Sequence, residues 1–470
     1  MANPTPLAAV PAKIPLRGAL VAALKGGSGK SIVAVGLAAA FRAQGRQVVP
    51  FKKGPDYIDA GWLGLAAAHP CYNLDPFLME TNALLTSFHR HARQAELALI
   101  EGNRGLFDGV TLTGTYSSAE LARLLGVPVL LVVDCTKATR TVAAMVLGCR
   151  HMDQDLVIQG VILNQIARPR HEKVVREAVE YFTGLPVLGA VPRQDEDAVP
   201  MRHLGLTPTP EHGAAGQVVS QLAALMASSC DLERIWAGMP AVASAMPAAP
   251  AAAPPVVGRR VRIGVVRDAA FQFYYPENLE ALAAQGAILV PISALADQAL
   301  PELDALYIGG GFPETQAATL AANVSFRDSF RQAALAGLPV YAECGGLMYL
   351  GQSLTVSGET FPMAGVLPVR FTLQRRPQAH GYTEMVVDEP NPFYPVGTRI
   401  RGHEFRYSQV MDWQGSPEML ACRVERGVGF VDGRDGVMQG NVLALYTHVH
   451  SIGLPGWAGW IVARARDWRG

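Results

Sequence analysis

The chain has 470 residues, of which half are hydrophobic and 17% are charged, enough apolar material for more than one domain core. Lysine plus arginine and aspartate plus glutamate number 40 each, and this balance argues against a general nucleic-acid binder. The six cysteines have no C-x-x-C spacing, and the sequence shows neither a signal-peptide pattern nor an apolar run of about 18 residues. We therefore expect a cytoplasmic protein without a disulfide framework, a zinc site or a membrane partner.

A glycine-rich stretch near the N-terminus predicts a phosphate-binding loop. It reads L-K-G-G-S-G-K-S over residues 24–31, between a strand-like run, Gly18 to Leu24, and a helix-like run, Ile32 to Ala43. Backbone N–H groups of such a turn and the helix N-terminus can bind phosphate. Leu24 replaces the first glycine of the common pattern, and a second lysine gives the variant found in a subclass of P-loop ATPases. The candidate nucleotide-binding residues here are Lys25, Gly26, Gly27, Gly29, Lys30 and Ser31, with Lys30 on the β- and γ-phosphates and Ser31 on Mg²⁺.

The first half of the chain alternates apolar strands with helical stretches, which predicts a parallel sheet covered on both faces. Ligands of such sheets bind at the carboxyl ends of the strands. The predicted strands are Gly18–Leu24, Val48–Lys52, Leu97–Glu101, Val127–Asp134, Val157–Asn164 and Val187–Val191.

Polar side chains follow several of these strands and are candidates for the same site. Carboxylates beside a P-loop suit Mg²⁺, which prefers hard oxygen ligands. An asparagine amide at a strand end can both donate to and accept from an adenine edge. The candidates in chain order are Lys52, Asp56, Asp59, Glu101, Asp108, Asp134, Arg140 and Asn164. We assign Asp59, Asp108 and Arg140 to substrate binding.

An Ala/Pro-rich stretch from Ala241 to Gly258 has the composition of an extended linker and marks a domain boundary. We therefore divide the chain into an N-terminal tail (1–17), an ATP-binding domain (18–235), a linker (236–259) and a second domain (260–470).

The second domain carries a strand–turn–helix pattern around Cys344. The strand Leu338–Cys344 runs into C-G-G-L, and a nucleophile on such a turn is exposed at the sheet edge, where the helix N-terminus stabilises a thiolate. Gly310 and Gly311, after another predicted strand, can donate N–H groups to an oxyanion. His448 follows the apolar run Val442–Leu445 and can serve as the base, which together predicts acyl-transfer chemistry.

The chain resembles the cobyrinic acid a,c-diamide synthase family over nearly all of residues 18–463, and four motifs support this resemblance. The carrying motifs are G-P-D-Y-I-D, E-G-N-R-G-L-F-D-G, G-G-G-F-P-E and A-E-C-G-G-L-M-Y-L. The resemblance implies an α/β fold class with two domains. The first is a P-loop parallel-sheet domain similar to dethiobiotin synthetase, and the second is a flavodoxin-like class I glutamine amidotransferase domain.

The resemblance also implies roles for single residues. Cys344 would be the nucleophile and His448 its base, whereas His450 stands where ordinary class I amidotransferases have the third triad member, a glutamate. Mg²⁺ would be held by Ser31, Asp56 and Glu101. By analogy with dethiobiotin synthetase, Lys52 would face the reacting carboxylate and Asn164 the adenine.

The implied activity is amidation of the a and c acetates of a tetrapyrrole polycarboxylate through an acyl phosphate, with ATP, Mg²⁺ and glutamine. The acceptor is left open between cobyrinate or hydrogenobyrinate and sirohaem, because K-G-G-S-G-K-S, F-K-K-G-P-D and A-G-W-L resemble a sirohaem-amidating branch. We also leave a homodimer open. Candidate macrocycle contacts, with a solvated basic loop as the alternative, are Arg370, Arg375, Arg376, His380 and Tyr382.

Two other functions fit parts of the sequence. A MinD/ParA-type ATPase would explain Lys25, Gly26 and Gly27 but not Cys344 or His448. An enzyme similar to cobyric acid synthase, which amidates later side chains, resembles both domains but usually lacks G-P-D-Y-I-D. Glutamine hydrolysis separates the first alternative from an amidotransferase, and the identity of the amidated tetrapyrrole separates the second.

Overall fold

The computed structural model describes residues 15–194, 201–202, 205–206, 213–242 and 258–468. They form two α/β domains, each built on its own sheet. Most of the predicted N-terminal tail and residues 243–257 of the predicted linker lie outside the described residues. Within the described parts of the chain, no helix is long and apolar enough to cross a membrane.

The first domain contains a seven-stranded sheet in the order β3-β2-β4-β1-β5-β6-β7, with every neighbouring pair parallel. This confirms the predicted parallel sheet. Its strands are β1 (Arg17–Ala23), β2 (Val48–Lys53), β3 (Tyr72–Leu74), β4 (Leu97–Glu101), β5 (Val129–Asp134), β6 (Ile158–Ile166) and β7 (Val187–Pro192). Beyond this sheet, β8 (Met201–Arg202) pairs with β9 (Gly205–Leu206).

Helices cover both faces of this sheet, as its nearly continuous apolar strands require. One face packs against α1, α2, α7 and α8, and the other against α3 to α6. The helices are α1 (Lys30–Ala43), α2 (Ile58–Ala67), α3 (Thr81–His91), α4 (Ser118–Leu125), α5 (Thr141–Met152), α6 (Pro169–Thr183), α7 (Ala215–Ser229) and α8 (Leu232–Ala237).

The first domain extends beyond its predicted boundaries at both ends. Arg17 begins β1 and forms a β-bridge with Ala241, and the Val242 amide donates to the Leu16 carbonyl at 2.8 Å. Met239 and Val242 are buried in the apolar layers of this domain. The described residues on either side of the predicted 18–235 range therefore belong to the domain, because backbone pairing and burial hold them there.

The second domain contains a ten-stranded sheet in the order β12-β10-β13-β15-β24-β23-β22-β19-β20-β25. The five strands from β12 to β24 are parallel, and the remaining pairings are antiparallel. Its strands are β10 (Val261–Val266), β12 (Ala287–Ile292), β13 (Ala305–Ile308), β15 (Val340–Glu343), β19 (Ala379–Val387), β20 (Arg399–Arg406), β22 (Leu420–Arg426), β23 (Arg434–Gln439), β24 (Val442–Leu445) and β25 (His448–Val449).

Two smaller sheets flank the large one. A four-stranded sheet comprises β16 (Ser353–Val356), β17 (Glu359–Pro362), β18 (Val369–Leu373) and β21 (Ser408–Trp413), and β11 (Phe271–Phe273) pairs with β14 (Gly310–Gly311). The helices of this domain are α9 (Pro276–Ala284), α10 (Ala317–Ala322), α11 (Val324–Leu335), α12 (Gly345–Leu350) and α13 (Trp457–Asp467). Because β13, β15 and β24 are adjacent and parallel, the segments after them meet at one edge of the sheet.

Candidate active site

The predicted phosphate-binding loop lies between β1 and α1 and has the backbone that its glycines permit. Gly29 has φ of 87°, and a Cβ at this position would lie 2.1 Å from the Asn164 side-chain nitrogen. Lys25, Gly26 and Gly27 are exposed around the turn, whereas Lys30 is buried, and burial together with the neighbouring Lys52 lowers the pKa of Lys30. This arrangement leaves the loop open for an anion in front of α1.

Asn164 contacts this loop directly. Its side-chain Nδ2 donates to the Ser28 carbonyl at 2.9 Å. The amide therefore supports the loop that surrounds the predicted phosphate site, and its contact with adenine stays a prediction.

Behind the loop, α1, β2, α2 and β4 each contribute one side chain to a buried cluster of charges. Ser31 Oγ donates to Glu101 Oε1 at 2.6 Å, and Lys52 Nζ lies 2.8 Å from Asp59 Oδ2 and 3.0 Å from Glu101 Oε1. Burial alone would lower the pKa of Lys52, but the charges of Asp59 and Glu101 raise it above its usual value. Burial and the charge of Asp59 raise the pKa of Glu101 to about 7. The cluster thus holds a permanent cation between two carboxylates.

Of the two aspartates after β2, Asp59 rather than Asp56 contacts the Ser31 hydroxyl. Asp59 lies in the cluster, with Oδ2 3.3 Å from Ser31 Oγ, whereas the sequence analysis placed it with the substrate. Asp56 Oδ1 instead accepts from the Asp59 amide at 2.7 Å, at the start of α2. Burial, followed by the charge of Asp59, raises the pKa of Asp56 to about 6.

The donor set of this cluster fits Mg²⁺. Ser31, Asp59 and Glu101 offer hard oxygen atoms, and Glu101 Oε2 is buried without a hydrogen-bond partner. Among the described residues, no three Asp, Glu, His or Cys side chains form a ready metal cage. A Mg²⁺ ion at this place would therefore depend on the Ser31 hydroxyl, the Asp59 and Glu101 carboxylates, water and nucleotide phosphates.

The other predicted substrate residues lie apart from this cluster. Asp108 accepts from the Gly105 amide at 2.8 Å and borders a cavity between the two domains. Arg140 is exposed just before α5 and does not line that cavity, so its role stays a prediction.

In the second domain, Cys344 sits on a sharp turn between β15 and α12. Its φ of 47° and ψ of −100° are rare for a residue with a side chain, and such strain is typical of functional positions. A Cβ on the next residue, Gly345, would lie 3.0 Å from the Gly311 amide nitrogen, so the two glycine backbones pass closely beside the thiol. The predicted strand–turn–helix placement of Cys344 is therefore present.

His448 lies beside Cys344 in the same cavity. Burial would lower the pKa of His448, but Cys344 and then Glu343 raise it to about 10. A Cβ at Gly310 would lie 2.4 Å from His448 Cε1, so only glycine leaves room for the imidazole there. The Gly309 amide already donates to Tyr274 Oη at 2.8 Å, and the role of Gly310 and Gly311 as oxyanion donors stays a prediction.

A single cavity of about 530 Å³ connects the two halves of the molecule. Asp56, Asp108 and Lys53 line it from the first domain, and Cys344 and His448 from the second. Further basic and aromatic side chains face it, so the cavity suits a large anionic ligand. These include Arg104, Tyr116, His380, Tyr382, His403, Arg406 and Arg426. Of the macrocycle contacts predicted from the sequence, His380 and Tyr382 line this cavity, whereas Arg370, Arg375 and Arg376 do not.

Tyr57 of the first domain packs against aromatic side chains and His448 of the second domain. Its ring stacks on Phe273 with centroids 5.0 Å apart and lies 4.5 Å from Tyr275 and 5.3 Å from His448. Because Tyr57 directly follows Asp56, one short loop borders both candidate sites.

Three site residues were not predicted from the sequence, although each lies inside one of the motifs described above. They are Lys53, Tyr57 and Glu343, in F-K-K-G-P-D, G-P-D-Y-I-D and A-E-C-G-G-L-M-Y-L. Adjacency to a predicted functional residue was the available signal. What each side chain faces depends on contacts with distant parts of the chain, which local spacing does not encode.

Comparisons with known protein families identify both domains. Residues 19–206 match the profile of the CobQ/CobB/MinD/ParA nucleotide binding domain. Residues 262–453 match the CobB/CobQ-like glutamine amidotransferase domain.

Curated relatives are similar over nearly the whole chain. A protein of Magnetococcus marinus named cobyrinate a,c-diamide synthase is 46% identical over 454 residues, covering 96% of this chain and 96% of that protein. Proteins with the same name are 38% identical in Dehalococcoides mccartyi (92% of this chain, 94% of that protein) and 39% identical in Archaeoglobus fulgidus (90% and 92%).

Proposed function

The chain belongs to the cobyrinate a,c-diamide synthase family, and we propose that it amidates the a and c acetate carboxylates of cobyrinate with ATP and glutamine. The observation that carries the proposal is the cavity that Asp56 and Asp108 border from one domain and Cys344 and His448 from the other. A carboxylate to be activated and a source of ammonia can thus share one cavity.

We infer that ammonia is released at Cys344. The sulfur attacks the side-chain carbonyl carbon of glutamine, and His448 gives its proton to the departing amide nitrogen, which leaves as ammonia. Water, activated by His448, then hydrolyses the thioester, so that glutamate leaves and the thiol is restored. The Gly311 amide passes beside this turn, and we infer that it stabilises the oxyanion together with the Gly310 amide.

The acceptor half would activate the carboxylate. A carboxylate oxygen attacks the γ-phosphorus of ATP, ADP leaves, and ammonia then displaces inorganic phosphate from the acyl phosphate to form the amide. Lys30 and the loop amides would hold the phosphates. Lys52, kept protonated by Asp59 and Glu101, would supply fixed positive charge behind them. Mg²⁺, held by Ser31 with Glu101 and Asp59, would neutralise phosphate charge when bound.

Sirohaem is the second candidate acceptor. The motifs around Lys25 and Lys53 favour it, whereas the names of the relatives favour cobyrinate. Both are anionic macrocycles that suit the basic and aromatic lining of the cavity.

The proposal is tested with cobyrinate whose carboxylates carry ¹⁸O, incubated with the protein, ATP, Mg²⁺ and glutamine. Mass spectrometry should show the diamide and one ¹⁸O in inorganic phosphate for each amide formed, because the acyl phosphate passes a carboxylate oxygen to phosphate. Amide without labelled phosphate would refute the acyl phosphate. Amidation of sirohaem but not of cobyrinate would reverse the choice of acceptor.

A further inference from the structure

The histidine of the glutamine-hydrolysing site faces a carboxylate that no sequence motif assigned to it. His448 Nδ1 lies 3.5 Å from Glu343 Oε2. Both atoms are buried, and neither has another hydrogen-bond partner. Two buried polar atoms that face each other and lack other hydrogen-bond partners form a pair by complementarity of charge.

Residue 450, where ordinary class I amidotransferases have the third triad member, does not face His448. His450 stands two residues after His448, and its Nε2 lies 3.7 Å from Glu277 Oε1. Its Nδ1 accepts from the Ile452 amide at 3.2 Å. Both ring nitrogens of His450 are therefore turned to partners other than His448.

Glu343 is held firmly enough to orient an imidazole. Its Oε1 accepts from the Tyr341 hydroxyl at 3.0 Å and from the Val449 amide at 3.2 Å. Tyr394 donates to the Tyr341 hydroxyl at 2.8 Å and extends the chain of hydrogen bonds. With Oε1 fixed in this way, Oε2 remains directed at His448.

We propose that Glu343, the residue directly before the nucleophile, takes the place of the missing third member of the Cys–His triad and positions His448. Its carboxylate would fix which ring nitrogen carries the proton and stabilise the imidazolium that serves the Cys344 sulfur. This inference rests on the proposed glutamine hydrolysis but not on the identity of the acceptor. It makes Glu343 a positioning residue, because it acts through His448.

The test measures glutamine hydrolysis by Glu343→Gln, which keeps the shape and the Oε1 acceptor but removes the charge. We expect kcat to fall at least about 10-fold, because losing a partner that orients a histidine costs about 10- to 100-fold at metal-bound histidines and about 10⁴-fold in the Ser–His–Asp triad. The basic limb of the pH profile of kcat/KM reports loss of the His448 proton. This limb should move to lower pH, because the Glu343 charge that raises the pKa of His448 is gone. Besides Glu343, the titratable side chains that face His448 are Cys344, His403 and Tyr57.

His450→Gln is the matched control and should leave the basic limb in place. Ammonia-dependent amidation by Glu343→Gln should stay at the wild-type level, because only the donor half is altered. The proposal is overturned if hydrolysis by Glu343→Gln stays within about twofold of wild type with an unmoved limb. It is also overturned if ammonia-dependent activity falls equally, or if His450→Gln moves the limb. Glutamate release can be read without any acceptor, so failure of cobyrinate amidation would not imitate these results.

Discussion

Lys52 and Lys53 are adjacent in β2, yet their side chains reach different sites. Side chains alternate along a strand, so Lys52 enters the carboxylate cluster while Lys53 lines the cavity between the domains. Lys53 is buried, burial lowers its pKa, and none of the ion pairs among the described residues involves it. A buried cation on the cavity wall is suited to bind a carboxylate of the acceptor.

Replacing this cation should weaken acceptor binding. For Lys53→Met we expect the dissociation constant for cobyrinate, measured by absorbance titration, to rise about 10- to 100-fold, because a hydrogen bond to a charged group contributes about 1.5–3 kcal/mol. Glutamine hydrolysis should be unaffected. Lys173→Met, on the exposed side of α6, is the control and should bind as wild type. An unchanged constant for Lys53→Met would remove Lys53 from the acceptor site.

The aspartates after β2 show what the sequence could predict at this scale and what it could not. The motif correctly indicated that carboxylates approach Ser31, because parallel strands bring their ends to one sheet edge. Which aspartate does so depends on the first turn of α2, where Asp56 accepts the Asp59 amide and Asp59 turns toward Lys52. A spacing of three residues does not distinguish these two arrangements.

At the scale of elements, the strand–turn–helix units were predictable because each is local. The sequence indicated β1 with α1 and β15 with α12. Lys30 and Ser31 begin α1, and Cys344 lies in the turn before α12. The antiparallel half of the second sheet was not predicted. Its strand β19 pairs with both β20 and β22, although β21 of the four-stranded sheet lies between these two along the chain, and only that pairing determines their faces and register.

The loop between β2 and α2 lies between the carboxylate cluster and the Cys344 site, and Tyr57 in this loop contacts the second domain. We expect Tyr57→Ala to raise the ratio of glutamate released to amide formed, because loss of the stacked ring opens the cavity to water and ammonia escapes. The ratio is measured by quantifying both products in the same reaction.

Tyr181→Ala is the control for this prediction, since Tyr181 is exposed on α6, and it should keep the wild-type ratio. A ratio that stays at the wild-type value in Tyr57→Ala would show that this ring does not seal the path of ammonia.

At the scale of the whole molecule, specific contacts hold the domains around their shared cavity. Tyr382 donates to Asp75 Oδ2 at 2.8 Å and stacks on Phe77, and the Asn73 amide donates to Glu277 Oε1 at 3.1 Å. The two-domain composition followed from motifs in each half. The interface did not follow from motifs, because its residues come from β3 and the loop after it, from α9 and from β19, and no motif marks them as partners.

The shared cavity makes transfer of nitrogen from one domain to the other the central claim of this account. The most direct measurement uses glutamine labelled with ¹⁵N in its side-chain amide, with ATP, Mg²⁺, cobyrinate and excess unlabelled ammonium. The wild-type protein should place ¹⁵N in the product amides. Cys344→Ala should form the same diamide with unlabelled nitrogen only, because the acceptor half remains intact. Labelled product from Cys344→Ala, or a folded Cys344→Ala that amidates with neither source, would contradict the two-site account.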